Sequence, residues 1–474
     1  MFGELALLIQ LIGGLAVGGE LLCLLSKDKE GKIATGEFKG PDELKGLTGD
    51  DGIRLSKQIQ LNKAKTREHA LCLGATGEGK TTSLFYPNLL ANDITGSIIV
   101  LDPKGELYRD TSEYQKSIGR DVVVFSPLNP LNTKYNLLKE CRNTTEVIEL
   151  AQTILLNSTK SLELQTSTKA GGIEWINMSL PLFISALLYC RHKGGYMCSI
   201  TNAARLIISN TTEDLQLILG ECINDEVKEQ FSIFESCLES PKTASSIKIT
   251  LNTSLQLFLD ENIVRTTSAT QFNAKSLRKK PTCLYISYPE HKSNYVSPLM
   301  ATFFTQLINH LMDTKGEPVT IMADEFANIG MINNFSNIIS TCRSREIAFL
   351  ICLQSTSQLT QVYGRDNAKS ILNNLKTKCV LPSTSDIDTL NYISDLLGET
   401  EITTINNTKS TSNNNRSCTE SISKSKKRLL AADEIRRLAS GKMLILCHNR
   451  QPVIDEQNVY YVNKEYTNRI KKAL

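Results

Sequence analysis

Ala70-Leu-Cys-Leu-Gly-Ala-Thr-Gly-Glu-Gly-Lys-Thr-Thr82 decides how this chain folds. A short apolar run ends at Gly74, and Gly74-x4-Gly79-Lys80-Thr81 satisfies every fixed position of the phosphate-loop pattern G-x-x-x-x-G-K-[ST]. Glycines at 74, 77 and 79 permit a tight turn whose backbone N–H groups face inward around phosphate oxygens. Gly74, Ala75, Thr76, Gly77, Glu78, Gly79, Lys80, Thr81 and Thr82 are the expected nucleotide cradle. Lys80 is placed to reach the β- and γ-phosphates, and the Thr81 hydroxyl to ligate Mg²⁺. A helix expected over roughly 80–90 points its positive dipole end at the same phosphates.

Outward from this loop the pattern alternates. Ser97-Ile-Ile-Val-Leu-Asp102 is apolar, β-branched and closed by a polar residue, as a buried strand should be. Asp102-Pro-Lys-Gly-Glu106 follows at its carboxyl end, where parallel sheets collect ligand sites. Asp121-Val-Val-Val-Phe125 is a third strand. Strand, helix, strand, helix, strand predicts a doubly wound α/β domain.

Between about 143 and 260 the period becomes helical, in segments such as Thr145–Leu156, Ile173–Arg191, Glu213–Ile218 and Ser245–Leu259. This predicts an all-helical insertion. Strands return at Thr282–Ser287, Pro318–Asp324, Ala348–Leu353 and Lys378–Leu381. The nucleotide-binding domain is therefore expected to be split into 33–142 and 261–474 around an insertion at 143–260. Residues 406–427, rich in Asn, Ser, Thr and Lys, are expected to form a flexible loop within it. A helix over Leu429–Leu438, a strand over Lys442–Cys447 and an extended segment over Pro452–Val462 complete the chain.

The second half of a nucleotide site is sought at strand ends. Val319-Thr-Ile-Met-Ala-Asp324-Glu325 ends an apolar strand in adjacent carboxylates. Asp324 is expected to hold Mg²⁺ and Glu325 to orient or deprotonate the attacking water. Gln354, at the end of the next strand, is a candidate γ-phosphate sensor. Arg343 and Arg345, in Cys342-Arg-Ser-Arg-Glu346, are candidates for stabilising the γ-phosphoryl charge of a neighbouring subunit. Basic runs at Lys275–Lys280 and Lys424–Arg428 invite phosphate backbones, but solvated loop charge explains them equally well, since no aromatic residues are interleaved.

Composition bounds the rest. A chain of 474 residues with 41% hydrophobic residues can build two or three domains, and a net charge of +3 is too mild to demand a nucleic-acid or anionic-membrane partner. Its 13 cysteines are scattered without metal-ligand spacing, which favours a reduced environment over a disulfide framework. Leu5–Leu25 is nearly long enough to span a bilayer, and Lys27, Lys29 and Lys32 after it place the remainder of the chain in the cytoplasm. Residues 1–32 are thus expected to be one N-terminal transmembrane anchor in the cytoplasmic membrane, with a non-spanning docking helix as its alternative.

Ala323-Asp-Glu-Phe-Ala-Asn-Ile-Gly330 joins the phosphate loop, Leu101-Asp-Pro-Lys-Gly-Glu106, Leu353-Gln-Ser355 with Gln358-Leu359, and Leu397-Gly-Glu-Thr400 in one order. That set resembles the TraG-type coupling proteins of type IV secretion, over roughly residues 34 to 460. The resemblance implies a RecA-like ATPase with an inserted helical domain facing the cytosol, assembling as a homo-hexamer at the inner face of the secretion channel. It implies ATP and Mg²⁺ as cofactors, with Lys80 and Thr81 matching the Walker A residues and Asp324 and Glu325 the Walker B pair. It further implies that ATP turnover drives relaxase-bound single-stranded DNA, or protein effectors, through the channel. Members of that family usually carry two N-terminal membrane helices; this sequence offers at most one. Two other readings stay open at this stage: a nucleotide-switched substrate receptor without motor activity, and a cytosolic double-stranded DNA pump of the FtsK/HerA kind.

Overall fold

The computed structural model describes residues 36–166, 173–412 and 415–473. In chain order the strands are β1 (Ala70–Leu73), β2 (Ser97–Leu101), β3 (Asp121–Phe125), β4 (Thr282–Ile286), β5 (Val319–Ala323) and β6 (Ile347–Leu353). They continue as β7 (Thr377–Val380), β8 (Glu399–Ser412), β9 (Asn415–Arg428), β10 (Lys442–Cys447) and β11 (Val453–Glu456). Among the described residues, nine strands form one sheet in the order β11-β10-β7-β1-β6-β5-β2-β4-β3. From β7 to β3 every pairing is parallel, whereas β10 runs antiparallel to β7 and β11 antiparallel to β10.

Period-two alternation explains why these strands read as unbroken apolar runs. On β1, Leu71 and Leu73 enter one core, whereas Ala70 and Cys72 enter the other. On β2, Ile99 and Leu101 likewise oppose Ile98 and Val100. Leu84, Phe85 and Leu89, on the helical run after the phosphate loop, cover the second face. The first face carries the long helices Thr144–Thr166, Ile173–Lys193 and Ser293–Asp313. Between β3 and β4 every described element is helical, as the sequence periods predict.

Two local expectations change. The helix after the loop opens with a π-type turn, Thr81–Phe85, before Tyr86–Leu90 continues as α-helix. Pro87 supplies the reason: its ring would crowd the carbonyl four residues back, and a wider turn relieves that clash. Residues 406–427, expected as a loop, belong instead to the antiparallel hairpin β8–β9, in register from Glu399↔Arg428 to Ser412↔Asn415. Glu399 lies opposite Arg428 and Glu401 opposite Lys426, so opposite charges face each other across a ribbon that composition alone reads as unstructured. Leu5–Leu25 lies outside the described residues. No helix among the described ones is long and apolar enough to cross a membrane.

Candidate nucleotide site

Sheet register assembles the site. Leu73 at the end of β1 is paired with Leu353 at the end of β6, and Ala323 at the end of β5 with Ile351. The phosphate loop, Gln354 and the Asp324–Glu325 pair therefore leave three consecutive strands at one carboxyl edge. Leu101 pairs with Ala323 one strand further on, bringing Asp102 to the same edge. The cleft formed there has a volume of about 590 Å³ and is lined by residues 76–82, Asp102, Lys104, Glu106, Asp324, Glu325 and Gln354, among others.

Within the loop, Gly77 and Gly79 have φ of 88° and 92°, values L side chains rarely adopt. Gly74 is required for space, since a Cβ there would lie 2.9 Å from the Leu381 Cβ. Lys80 is buried and folds back over the loop, its Nζ donating to the carbonyls of Gly74 at 2.7 Å and Ala75 at 3.1 Å. Opposite it, the Thr81 hydroxyl donates to Asp324 Oδ2 at 2.7 Å. Asp324 Oδ1 is buried with no hydrogen-bond partner. An orphaned carboxylate oxygen beside a threonine hydroxyl fits a divalent cation, which would take up the lone pairs left over. Burial raises the Asp324 carboxyl above its ordinary value, while the Thr81 hydrogen bond and the charges of Lys80 and Lys104 oppose the rise.

Glu325 is the most constrained of the acids. Gln354 Nε2 donates to its Oε2 at 3.1 Å, and Gln358 Nε2 to its Oε1 at 2.9 Å. Gln358 Oε1 in turn accepts from the backbone N–H of Gln354 at 2.8 Å. Gln354 thus lies where the sequence places it, in the cleft and against Glu325. Burial raises the Glu325 carboxyl, and the two amides and Lys80 pull it back.

Arg343 and Arg345 are elsewhere. They precede β6, at the amino edge of a strand whose carboxyl end carries Gln354, and neither lines the cleft of its own chain. Arg343 is exposed and pairs with Glu68 at 2.8 Å; the Arg345 main-chain carbonyl accepts from Arg278 at 2.7 Å.

Sequence reasoning missed two groups. Gln358 has a local signal, since Ser355-x-x-Gln358 is capping-box spacing that returns the glutamine to the strand end. Ser440, Gly441, Gln457, Val459 and Tyr461 complete the rim of the cleft from a segment some 360 residues beyond the loop or more. No local pattern marks them, because the β10–β11 hairpin brings them in.

Asp102 provides a test of this electrostatic picture. It is 2% exposed, its Oδ2 accepts from Tyr108 N–H at 2.8 Å, and burial pushes its pKa up from 3.8 to about 6. A raised carboxyl pKa favours the folded state below the unfolded value, and that contribution is lost as pH rises through about 6. Above that, the buried charge carries its full cost. Asp102→Asn should therefore stabilise the nucleotide-free protein at pH 7.5 by about 1–3 kcal/mol. The gain should shrink steadily in denaturant melts taken down to pH 5, and a gain independent of pH would refute the assignment.

Comparison with known proteins places this geometry. The family described as "Type IV secretory system Conjugative DNA transfer" matches residues 26–473. Protein VirD4 of Rhizobium radiobacter is 27% identical over 412 residues, covering 84% of this chain and 57% of its own length. Conjugal transfer protein TraG of Escherichia coli is 24% identical over 365 residues, covering 71% of this chain and 56% of its own. The chain thus spans less than two thirds of these curated relatives. Among solved structures, the bacterial conjugative coupling protein TrwBdeltaN70 with sulphate superposes with a TM-score of 0.70 at 19% identity, covering 90% of this chain and 94% of that one. TrwB in complex with ADP and Mg²⁺ superposes with a TM-score of 0.69 over the same fractions. An α/β sheet, a complete phosphate loop and paired strand-end acids, in a chain matched almost end to end, make this protein a member of the type IV secretory system conjugative DNA transfer family.

Proposed function

We propose that this chain is an ATP-hydrolysing coupling protein that drives single-stranded DNA with its relaxase, or protein effectors, through a type IV secretion channel. The observation that carries the proposal is the Thr81–Asp324 contact of 2.7 Å beside the orphaned Asp324 Oδ1, with Glu325 held alongside by two amides. TrwB, which shares the fold, has been crystallised with ADP and Mg²⁺ and with non-hydrolysable analogues of ATP and GTP. When bound, Mg²⁺–ATP supplies the electrophilic phosphoryl group and partial neutralisation of its charge. Lys80 exchanges the Gly74 and Ala75 carbonyls for phosphate oxygens. Thr81 and Asp324 hold the cation. Glu325, fixed in orientation and raised in proton affinity, positions water and accepts its proton.

On this reading 33–142 and 261–474 form the motor domain, and the helical residues 143–260 face the substrate. Asn157 on the helix Thr144–Thr166 joins the two: its Oδ1 accepts from Met331 N–H at 2.7 Å and its Nδ2 donates to the Met331 carbonyl at 3.0 Å. Met331 follows Glu325 by six residues, so motion at the acids has a short route to the insertion. A hexameric ring at the cytoplasmic membrane, anchored by residues 1–32, would let Arg343 or Arg345 approach a neighbour's site.

The test is ATP hydrolysis by the detergent-solubilised full chain, with and without single-stranded DNA, against a Lys80→Ala control. DNA-stimulated turnover that the control lacks is the expected result. Tight nucleotide binding with no turnover under either condition would replace the motor with a nucleotide-switched receptor.

A further inference from the structure

Tyr461 is 63% exposed and lines the same cleft as the phosphate loop. An aromatic ring left in solvent at the mouth of a polar cleft is a ready stacking face. What distinguishes it from a stray surface tyrosine is the rigidity of its mounting. Tyr460 stacks on Tyr86 with ring centroids 4.0 Å apart, and Tyr86 belongs to the helical run that follows the phosphate loop. The Tyr86 hydroxyl is anchored on Asp110 at 2.5 Å. Tyr461 then meets Tyr460 edge-on, at 5.5 Å and 79°. On either side, Gln457 N–H donates to the Gly441 carbonyl at 2.8 Å, and the Asn463 side chain caps the helix Lys464–Ala473 through Glu465 N–H at 2.9 Å. That helix is tied down in turn, Arg469 lying over the Tyr114 ring at 5.0 Å and donating to the Leu90 carbonyl. The ring is therefore offered by a fixed turn coupled directly to the helix that carries the loop.

Resting on the reading of this cleft as a nucleotide site, we infer that Tyr461 is the stacking platform for the nucleobase, and that the platform accepts adenine and guanine alike. The tolerance follows from the neighbours. Ser440, Gly441, Gln457 and Val459, which form this part of the rim, carry no charge. The Gln457 side-chain NH₂ is already engaged with the Lys442 carbonyl at 3.3 Å, and its Oε1 lies against Gly79 of the phosphate loop. Every purine has a π-face, whereas reading a base edge needs free, fixed donors and acceptors.

Calorimetric titration of the full chain with Mg²⁺ and a non-hydrolysable ATP analogue, the matching GTP analogue, and inorganic tripolyphosphate separates base from phosphate. Tyr461→Ala should weaken both nucleotides by about 5- to 50-fold, to a similar degree, and leave tripolyphosphate unchanged. Tyr461→Phe, which keeps the ring and loses the hydroxyl, should bind as the wild type does. Unchanged nucleotide affinity in Tyr461→Ala overturns the inference, as does an equal loss for tripolyphosphate, which would make the ring a support for the loop. Loss confined to one purine overturns the tolerance. A wild-type chain that binds tripolyphosphate but neither nucleotide would overturn the platform and spare the phosphate loop; one that binds none of the three would overturn the nucleotide reading itself.

Discussion

Glu325→Gln should bind nucleotide as tightly as the wild type and hydrolyse it about 10²–10⁴-fold more slowly, the range a positioned general base contributes. Binding survives because the cradle is built from residues 74–82 and Asp324, none of which touches the Glu325 carboxylate. Folding survives because the substituted amide can be accommodated. In the wild type both carboxylate oxygens accept from amide donors, Gln354 and Gln358. The Gln358 amide cannot turn without releasing the Gln354 N–H it holds at 2.8 Å. Gln354 is free to present its oxygen to the new NH₂ group, so one rotation restores both contacts. Single-turnover hydrolysis read beside equilibrium binding separates the two effects.

The same residue sets an acid limit. Glu325 must be ionised to take a proton, and burial lifts its carboxyl above the ordinary 4.5. Turnover by the wild type should therefore fall with decreasing pH through an apparent pKa above that value. Wild-type turnover in Glu325→Gln would move the base to another acid of the cleft, Glu106 or Glu290.

Which parts of this site could be read in the sequence follows from how far each depends on its neighbours. The loop at 74–82 is legible because strand, glycines and lysine are contiguous, and their chemistry is fixed by backbone geometry. Asp324 and Glu325 are legible because an apolar run must end at a sheet edge. Gln358 needs one turn of helix to swing back to that edge, and only its spacing from Ser355 betrays it. Tyr461 needs two antiparallel strands and an aromatic stack to arrive, and nothing local records that. The β8–β9 ribbon failed for a different reason. Its sequence is polar, with few apolar residues for a hydrophobic pattern to report, and its order lies in backbone pairing.

The run Lys275–Lys280 illustrates the same limit with a measurable consequence. In sequence it is a basic patch awaiting a phosphate backbone. In the fold Lys275, Lys279 and Lys280 are exposed, but Arg278 is 3% exposed and faces inward. Its guanidinium donates to the carbonyls of Glu317 at 2.8 Å, Leu311 at 2.9 Å and Arg345 at 2.7 Å. Leu311 lies in the last turn of the helix Ser293–Asp313, where unpaired carbonyls and the negative dipole end welcome a cation. Burial lowers the Arg278 pKa, yet a guanidinium stays charged, so these carbonyls carry its solvation. Arg278→Met keeps most of the stem and strips three carbonyls of their donor, the Leu311 one fully buried and the other two half-buried, at about 1 kcal/mol or more each. The variant should lose about 3–4 kcal/mol in denaturant unfolding, whereas Lys275→Ala with Lys279→Ala should stay within about 0.5 kcal/mol of the wild type. Equal unfolding midpoints for Arg278→Met and the wild type would sink this account. Because the Arg345 carbonyl is one of the three, the turn Cys342–Arg345 should loosen with it, freeing Arg343 from its 2.8 Å contact with Glu68. Neutralising the whole basic run would therefore disturb the fold and the Arg343 turn, and a DNA-contact assay on this surface has to leave Arg278 in place.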